Sequence, residues 1–136
     1  MQNICEILSN SKTIAVVGLS RDPNKISRRI ASFLVDSAYD VVGVNPDFGD
    51  EDADGIKVYK SISDIPHNID IINVFRKSVD IPDVIDEVLA KNPKVLWLQQ
   101  GIRNDLAVKP VIEKGIIAIQ DECIFIQYNL CKSIIK

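Results

Sequence analysis

Five short runs of successive apolar residues set the narrowest limit on what this chain can fold into. They are Thr13–Val17, Asp40–Asn45, Asp70–Phe75, Lys94–Leu98 and Gly115–Ile119, and they begin roughly 20 to 30 residues apart. A strand wetted on one face alternates apolar with polar side chains, whereas a strand covered on both faces is apolar on successive residues, as these are apart from their polar ends and Asn73. The intervals have the length of a crossover connection, so the strands are expected to run parallel. The expected fold class is therefore α/β, with a doubly wound, mainly parallel five-stranded sheet and helices on both faces.

The intervals carry helical patterns. Ile26, Ile30, Phe33 and Leu34 recur on one face of a first crossover helix, with Lys25, Arg28, Arg29 and Asp36 on the other positions. Val79, Val84, Ile85, Val88 and Leu89 mark a second, with Pro82 tolerated in its first turn and Asn92-Pro93 ending it. Leu106 to Glu113 suggests a third, with Pro110 counting against it. Gln2 to Ser9 predicts a short leading helix through Ile4, Ile7 and Leu8, and Val58-Tyr59 is a candidate for one further short strand.

At 136 residues the chain fits one domain, large enough to bury a core without metal or disulfide help. A formal charge of −3 sets nucleic acid aside, because that partner requires clustered Lys and Arg. No apolar run approaches the length of a membrane span, and Met1-Gln-Asn-Ile-Cys-Glu6 lacks a basic leader region, so a cytoplasmic location and no membrane partner are expected. The three cysteines, Cys5, Cys123 and Cys131, contain no C-x-x-C pair, and neither a disulfide framework nor a zinc site is expected of them. Apolar residues in Lys132–Lys136 leave two options open, a homodimer contact or docking on the sheet.

In a doubly wound sheet the ligand crevice lies at the carboxyl ends of the strands, where the winding reverses. The residues there are Gly18-Leu19-Ser20-Arg21, Asn45-Pro46, Phe75-Arg76-Lys77, Gln99-Gln100-Gly101 and Asp121-Glu122-Cys123. The stretch Thr13–Asn24 reads as strand, tight turn and helix start, an arrangement that leaves backbone amides and the positive end of a helix facing an anion. A dinucleotide fingerprint would carry three glycines here and an acidic residue after the second strand; this chain has Gly18 alone, then Ser20, and the neutral Asn45. Arg21, Lys25, Arg28, Arg76 and Lys77 gather at this edge in a chain that is acidic overall, which points to a small polyanionic ligand.

Together these residues resemble the small bacterial and archaeal CoA-binding proteins of the YccU-like type, whose fold is similar to the CoA-binding domain of the succinyl-CoA synthetase alpha chain. The resemblance runs from about residue 12 to 128 and rests on Val17-Gly-Leu-Ser20 with Pro23, Val44-Asn-Pro46, Val58-Tyr59 with Asp64-Ile-Pro66, Val74-Phe-Arg76, Trp97-Leu-Gln-Gln-Gly101 and Asp121-Glu-Cys123. It implies a single Rossmann-like CoA-binding domain over 1–136, with 1–11 as leading helix and 130–136 as tail. It also implies coenzyme A or an acyl-CoA as ligand. The diphosphate would lie over Gly18, Leu19, Ser20 and Arg21 and the adenosine near Asn45-Pro46, with Phe75-Arg76 and Gln100-Gly101 lining the rest and Lys25 on the 3′-phosphate. The chain departs from the family's usage at Glu122, where a basic residue often precedes the cysteine, and this puts a role for Cys123 in question. The synthetase's phosphorylated histidine belongs to a second domain, so its ligase chemistry does not carry over.

Candidate chemistry is sparse. His67 precedes the third of the five runs and is expected at the opposite edge from the crevice, away from any nucleophile. Asp50-Glu-Asp52-Ala-Asp54-Gly55 matches the start of a calcium loop, but Ser61 stands where the bidentate glutamate is needed, so an acidic solvent loop is expected. Cys123 has two readings, a small apolar residue or a thiol that exchanges with bound CoA. No catalytic or metal-binding residue is assigned, and the expected function is CoA binding as a carrier, sensor or accessory protein. An NAD(P)-dependent enzyme and a small acyl-CoA transferase are the alternatives; an aspartyl-phosphate receiver is excluded by Asn73-Val-Phe-Arg76.

Overall fold

Strand β1 (Thr13–Val17) takes the middle of the sheet because all but its first residue are buried, a burial only a central strand receives. The computed structural model describes residues 3–49 and 51–135. After β1 the chain runs through α2 (Ile26–Asp36), β2 (Asp40–Val44), β3 (Val58–Tyr59), β4 (Ile71–Val74), α3 (Pro82–Lys91), β5 (Val95–Leu98), α4 (Asp105–Glu113), β6 (Ile117–Ile119) and α5 (Ile124–Cys131), with α1 (Ile4–Asn10) ahead of it. The sheet order is β3-β2-β1-β4-β5-β6 and every pairing is parallel. The winding therefore reverses between β1 and β4, and Val17 pairs with Val74 at the carboxyl end of that seam.

Successive side chains leave opposite faces, so each strand feeds two cores. Ile14, Val16, Ile71, Val95 and Trp97 pack with Leu8, Ile30, Ala31, Leu34 and Ile124, under α1, α2 and α5. Ala15, Val17, Ile72, Val74, Leu96 and Leu98 pack with Val84, Ile85, Val88, Val108 and Val111, under α3 and α4. These are the two helical layers expected of a doubly wound sheet.

The sheet has six strands, not five. Val58–Tyr59 pairs with β2 through Gly43↔Val58 and Val44↔Tyr59, and its two residues are too short a signal to set a strand apart from loop by pattern alone. In α2 the buried face is Ser27, Arg28, Ile30, Ala31 and Leu34, while Ile26, expected in the core, is 57% exposed. Val79 lies before α3 in a 3₁₀ turn, exposed. Asn92 ends α3 in the left-handed conformation at φ 55°, and Pro110 is accommodated inside α4.

The cysteine reading is corrected too. Helices α1 and α5 lie side by side on one face of the sheet, and Cys5 of α1 is disulfide-bonded to Cys131 at the end of α5, with Cα atoms 5.3 Å apart. A separation of 126 residues gives no local spacing to read, so tertiary packing alone makes this pair. Cys123 is free. The end of α5 overruns the expected tail boundary at 130, and Ile135 packs against the α1/α5 side of the core while Ile134 is exposed. Met1 and Gln2 at the start of the chain, Asp50 at the start of the acidic loop and Lys136 at the end of the tail lie outside the described residues.

Asp70 ties the amino end of the central seam. Its Oδ2 accepts from the amides of Lys12 (2.7 Å) and Thr13 (3.2 Å), and Lys94 stands 3.5 Å from Oδ1. Burial alone would raise its pKa; the two amides and Lys94 outweigh burial and hold the carboxyl below its ordinary 3.8. A carboxylate with a depressed folded pKa stabilises the fold above the unfolded value and loses that contribution as pH falls through the folded one. Asp70→Asn, whose amide oxygen can still accept from a backbone N–H, should therefore cost about 1 kcal/mol at neutral pH, the scale of one ordinary hydrogen bond. Urea midpoints of the two proteins should converge below pH 3.8; a gap that persists undiminished there would contradict the assignment.

Candidate functional site

The turn after β1 closes onto β2 before it opens to anything else. Gly18 N (2.9 Å) and Leu19 N (3.3 Å) both donate to Val44 O, and the Leu19 side chain is fully buried against Gly43, whose missing Cβ leaves it room. Asn45 locks the same turn: its Nδ2 donates to Leu19 O at 2.8 Å and its Oδ1 accepts from Asp47 N at 2.8 Å. The neutral amide expected to face a ribose is thus occupied in holding the loop.

Gly18 itself is demanded by the seam. Its φ is +89°, and a Cβ there would stand 2.9 Å from the backbone oxygen of Phe75, at the end of β4. Ser20 donates its amide to Ser27 Oγ (2.9 Å) and accepts the Asp22 amide on its own Oγ (3.0 Å). Arg28, expected among the cations facing a ligand, is buried instead. Its Nη1 donates to the carbonyls of Ser20 (3.3 Å) and Arg21 (3.0 Å), and its Nη2 meets the Asp54 carboxylate at 2.5 Å. The acidic loop is therefore a clasp on the turn as well as a solvated segment.

Among the described residues, the amides left without a protein partner here are those of Arg21, Ile26 and Ser27. Lys25, the N-cap of α2, makes no side-chain cap. The free N–H groups thus lie at the helix start, several residues beyond the glycine, where the positive end of the helix dipole coincides with them.

Two hollows meet over this turn, of about 420 and 500 Å³, sharing Gly18 and Phe75. The first, on the β2 side, contains Asn45, Pro46, Phe75 and Arg76 as the sequence implied, and adds Asp47, Lys60, Ser61, Asp83 and Glu87. The second, toward β5, contains Ser20, Lys25, Gln100 and Cys123, and adds Ile26, Ser27, Gln99 and Ile102. Leu19, Arg21 and Gly101 line neither hollow; Gly101 N donates to Asp121 Oδ1 at 2.6 Å. The two differ in charge. The first mixes two cations with three carboxylates, whereas the second holds Lys25 and no carboxylate.

Gln99 was legible only as a residue leaving the sheet edge. Its Oε1 must be the acceptor, because the Ile124 amide points at it from 3.3 Å, and Asn73 Nδ2 joins from 3.2 Å. Its Nε2 has no protein partner among the described residues, and Gln99 lines the second hollow. Beneath it Asn73 Oδ1 is buried without a partner. His67 is exposed at the opposite edge of the sheet, as expected, with Nδ1 3.1 Å from Asn68 O.

A model of the CoA binding domain matches residues 12–129. The chain belongs to this CoA-binding domain family. It is 40% identical over 129 residues to the uncharacterised protein YneT of Bacillus subtilis, covering 95% of this chain and 94% of that one. It is also 34% identical over 95 residues to the alpha subunit of an ADP-forming acetate–CoA ligase of Pyrococcus furiosus, covering 67% of this chain but only 21% of the ligase subunit. Among solved structures, a Thermus thermophilus protein superposes with a TM-score of 0.91 at 34% identity, covering 94% of this chain and 96% of that one. A hypothetical protein of Pyrococcus horikoshii superposes at 0.89 with 32% identity, covering 95% and 89%. The Rossmann-like fold is thus that of the CoA-binding domain family, and the match spans the stretch that the motifs delimited. The donor set fits such a ligand: three free amides and a lysine for phosphate, a free carboxamide N–H and apolar surface beyond. No helix among the described residues is long and apolar enough to cross a membrane.

Proposed function

We propose that this chain binds coenzyme A or an acyl-CoA across the turn between β1 and α2, as a carrier, sensor or accessory protein. The observation that carries this reading is the pair of unpartnered amides, Ile26 and Ser27, beside Lys25 in a hollow without carboxylates, with the free Arg21 amide on the turn leading to them. In this reading the diphosphate lies on those amides and the adenosine sits near Asn45 and Pro46; Lys25, in the other hollow, then serves the diphosphate in place of the 3′-phosphate, which Arg76 and Lys60 receive. The pantetheine arm follows Phe75, Gln99 and Gln100, with Gln99 Nε2 offered to one of its amide carbonyls. A binding rather than catalytic role is supported by the placement of the chain's one histidine and its free thiol: His67 precedes β4 and Cys123 follows β6, at opposite edges of a parallel sheet.

Asp47 favours a second reading, a nicotinamide dinucleotide. It stands two residues past Asn45, in the first hollow, where a carboxylate could accept from ribose hydroxyls. A thermal-shift panel of CoA, acetyl-CoA, NAD, NADP and ATP separates the two, since only ligands of the folded state raise its melting temperature. CoA species are expected to shift it and the nicotinamides not; a shift with NAD alone would replace the first reading by the second. Arg76→Gln is expected to weaken CoA about tenfold by titration calorimetry, the loss of one hydrogen bond to a charged group. Unchanged affinity would remove Arg76 from the site.

A further inference from the structure

The second hollow does not end at Cys123. Past Ile26 and Cys123, which line both spaces, a notch of about 160 Å³ opens between α2 and α5, walled also by Arg29, Ile30, Phe33 and Phe125. Its walls are apolar and open to water: Ile26 is 57% exposed and Phe125 42%. They are also braced. Phe33 and Phe125 meet edge to face with ring centroids 4.7 Å apart, and Tyr128 holds Phe33 from the other side at 5.3 Å. Arg29 is the one charged residue of the wall.

An apolar hollow continuous with a polar groove is suited to a ligand with a polar body and an apolar end. Its size bounds that end, because a dry cavity of about 150 Å³ lined by Leu, Ile and Phe takes up a benzene molecule, roughly six carbons. Resting on the reading that the groove takes coenzyme A, we propose that this notch is an acyl subsite. The preferred ligand is then a CoA thioester with an apolar acyl chain of roughly four to six carbons, bound more tightly than free CoA. Ile26 gains a purpose here. It sits on the helical face that the sequence pattern assigned to the core, yet the fold leaves it at the junction of groove and notch.

Titration calorimetry of the full chain with CoA and with acetyl-, butyryl-, hexanoyl- and succinyl-CoA tests this. Affinity is expected to rise about threefold per added methylene from acetyl to hexanoyl, slightly less than full burial would give in an open notch. Phe125→Ala, which removes one wall and touches none of the groove, is expected to flatten that rise while leaving the affinity for free CoA unchanged. Equal affinities across the series, with CoA still bound, would overturn the acyl subsite and leave the CoA reading standing. Tightest binding of succinyl-CoA would overturn it in favour of carboxylate recognition by Arg29. Absence of heat with every ligand would overturn both.

Discussion

Gly18→Val is expected to destabilise the fold by about 3 kcal/mol or more and to abolish ligand binding with it. Left-handed backbone costs an L-residue roughly 1–2 kcal/mol, and overpacking a tight contact adds roughly 1–3 kcal/mol. Both apply at this position, because φ is +89° and the new Cβ would stand 2.9 Å from the Phe75 carbonyl oxygen. That oxygen belongs to the end of β4, which cannot retreat without opening the seam with β1. From the sequence alone, the glycine reads as a concession to an approaching phosphate, and valine would then remove binding and spare the fold. The amides of Gly18 and Leu19 already donate to Val44 O, so the structural demand comes first. Urea unfolding followed by far-UV circular dichroism separates the two accounts. A variant with the wild-type midpoint and no CoA response would show that the contact with Phe75 yields freely.

Arg28→Met should lower stability by about 2–3 kcal/mol, since hydrogen bonds to charged groups are worth about 1.5–3 kcal/mol each and water replaces part of them. Arg28 is 5% exposed, and its guanidinium ties together three points: the carbonyls of Ser20 and Arg21 and the Asp54 carboxylate. Methionine keeps the apolar stem, so the loss reports the polar head. The freed groups sit at the surface, Asp54 with 76% of its side chain exposed, which is why the cost stays below that of a fully buried pair. Because the same carbonyls belong to the turn that leads to the free amides, CoA affinity is expected to fall severalfold. Chemical denaturation and calorimetry on Arg28→Met, Asp54→Asn and the double variant measure the coupling directly. A stability change within about 0.5 kcal/mol, ordinary for a surface substitution, would show that Arg28 holds nothing.

Much of the architecture was legible because it depends on local pattern. Runs apolar on successive residues admit few alternatives to buried parallel strands, and Pro82 and Asn92-Pro93 bracket α3 as an N1 proline and a left-handed end should. The crevice residues followed from topology, and eight of the eleven implied by the resemblance line one hollow or the other, as does Cys123. The failures share a cause. Arg28 looks like a cation facing a ligand until Asp54, 26 residues away, is brought against it. Asn45 lines the first hollow, and its hold on Leu19 O, 26 residues back, is not visible in the pattern. In each case a polar side chain had two uses, and sequence pattern does not rank them.

The order of apolar runs and breakers by itself determined that this chain winds a parallel sheet with a tight turn between its first strand and its first crossover helix, since backbone sterics and side-chain periodicity act over a few residues. Tertiary structure alone decided which groups at that turn remain free. Burial, the Arg28–Asp54 clasp and the Cys5–Cys131 link join residues that are remote along the chain. A hydrogen bond made to a distant neighbour is one that a ligand can no longer receive.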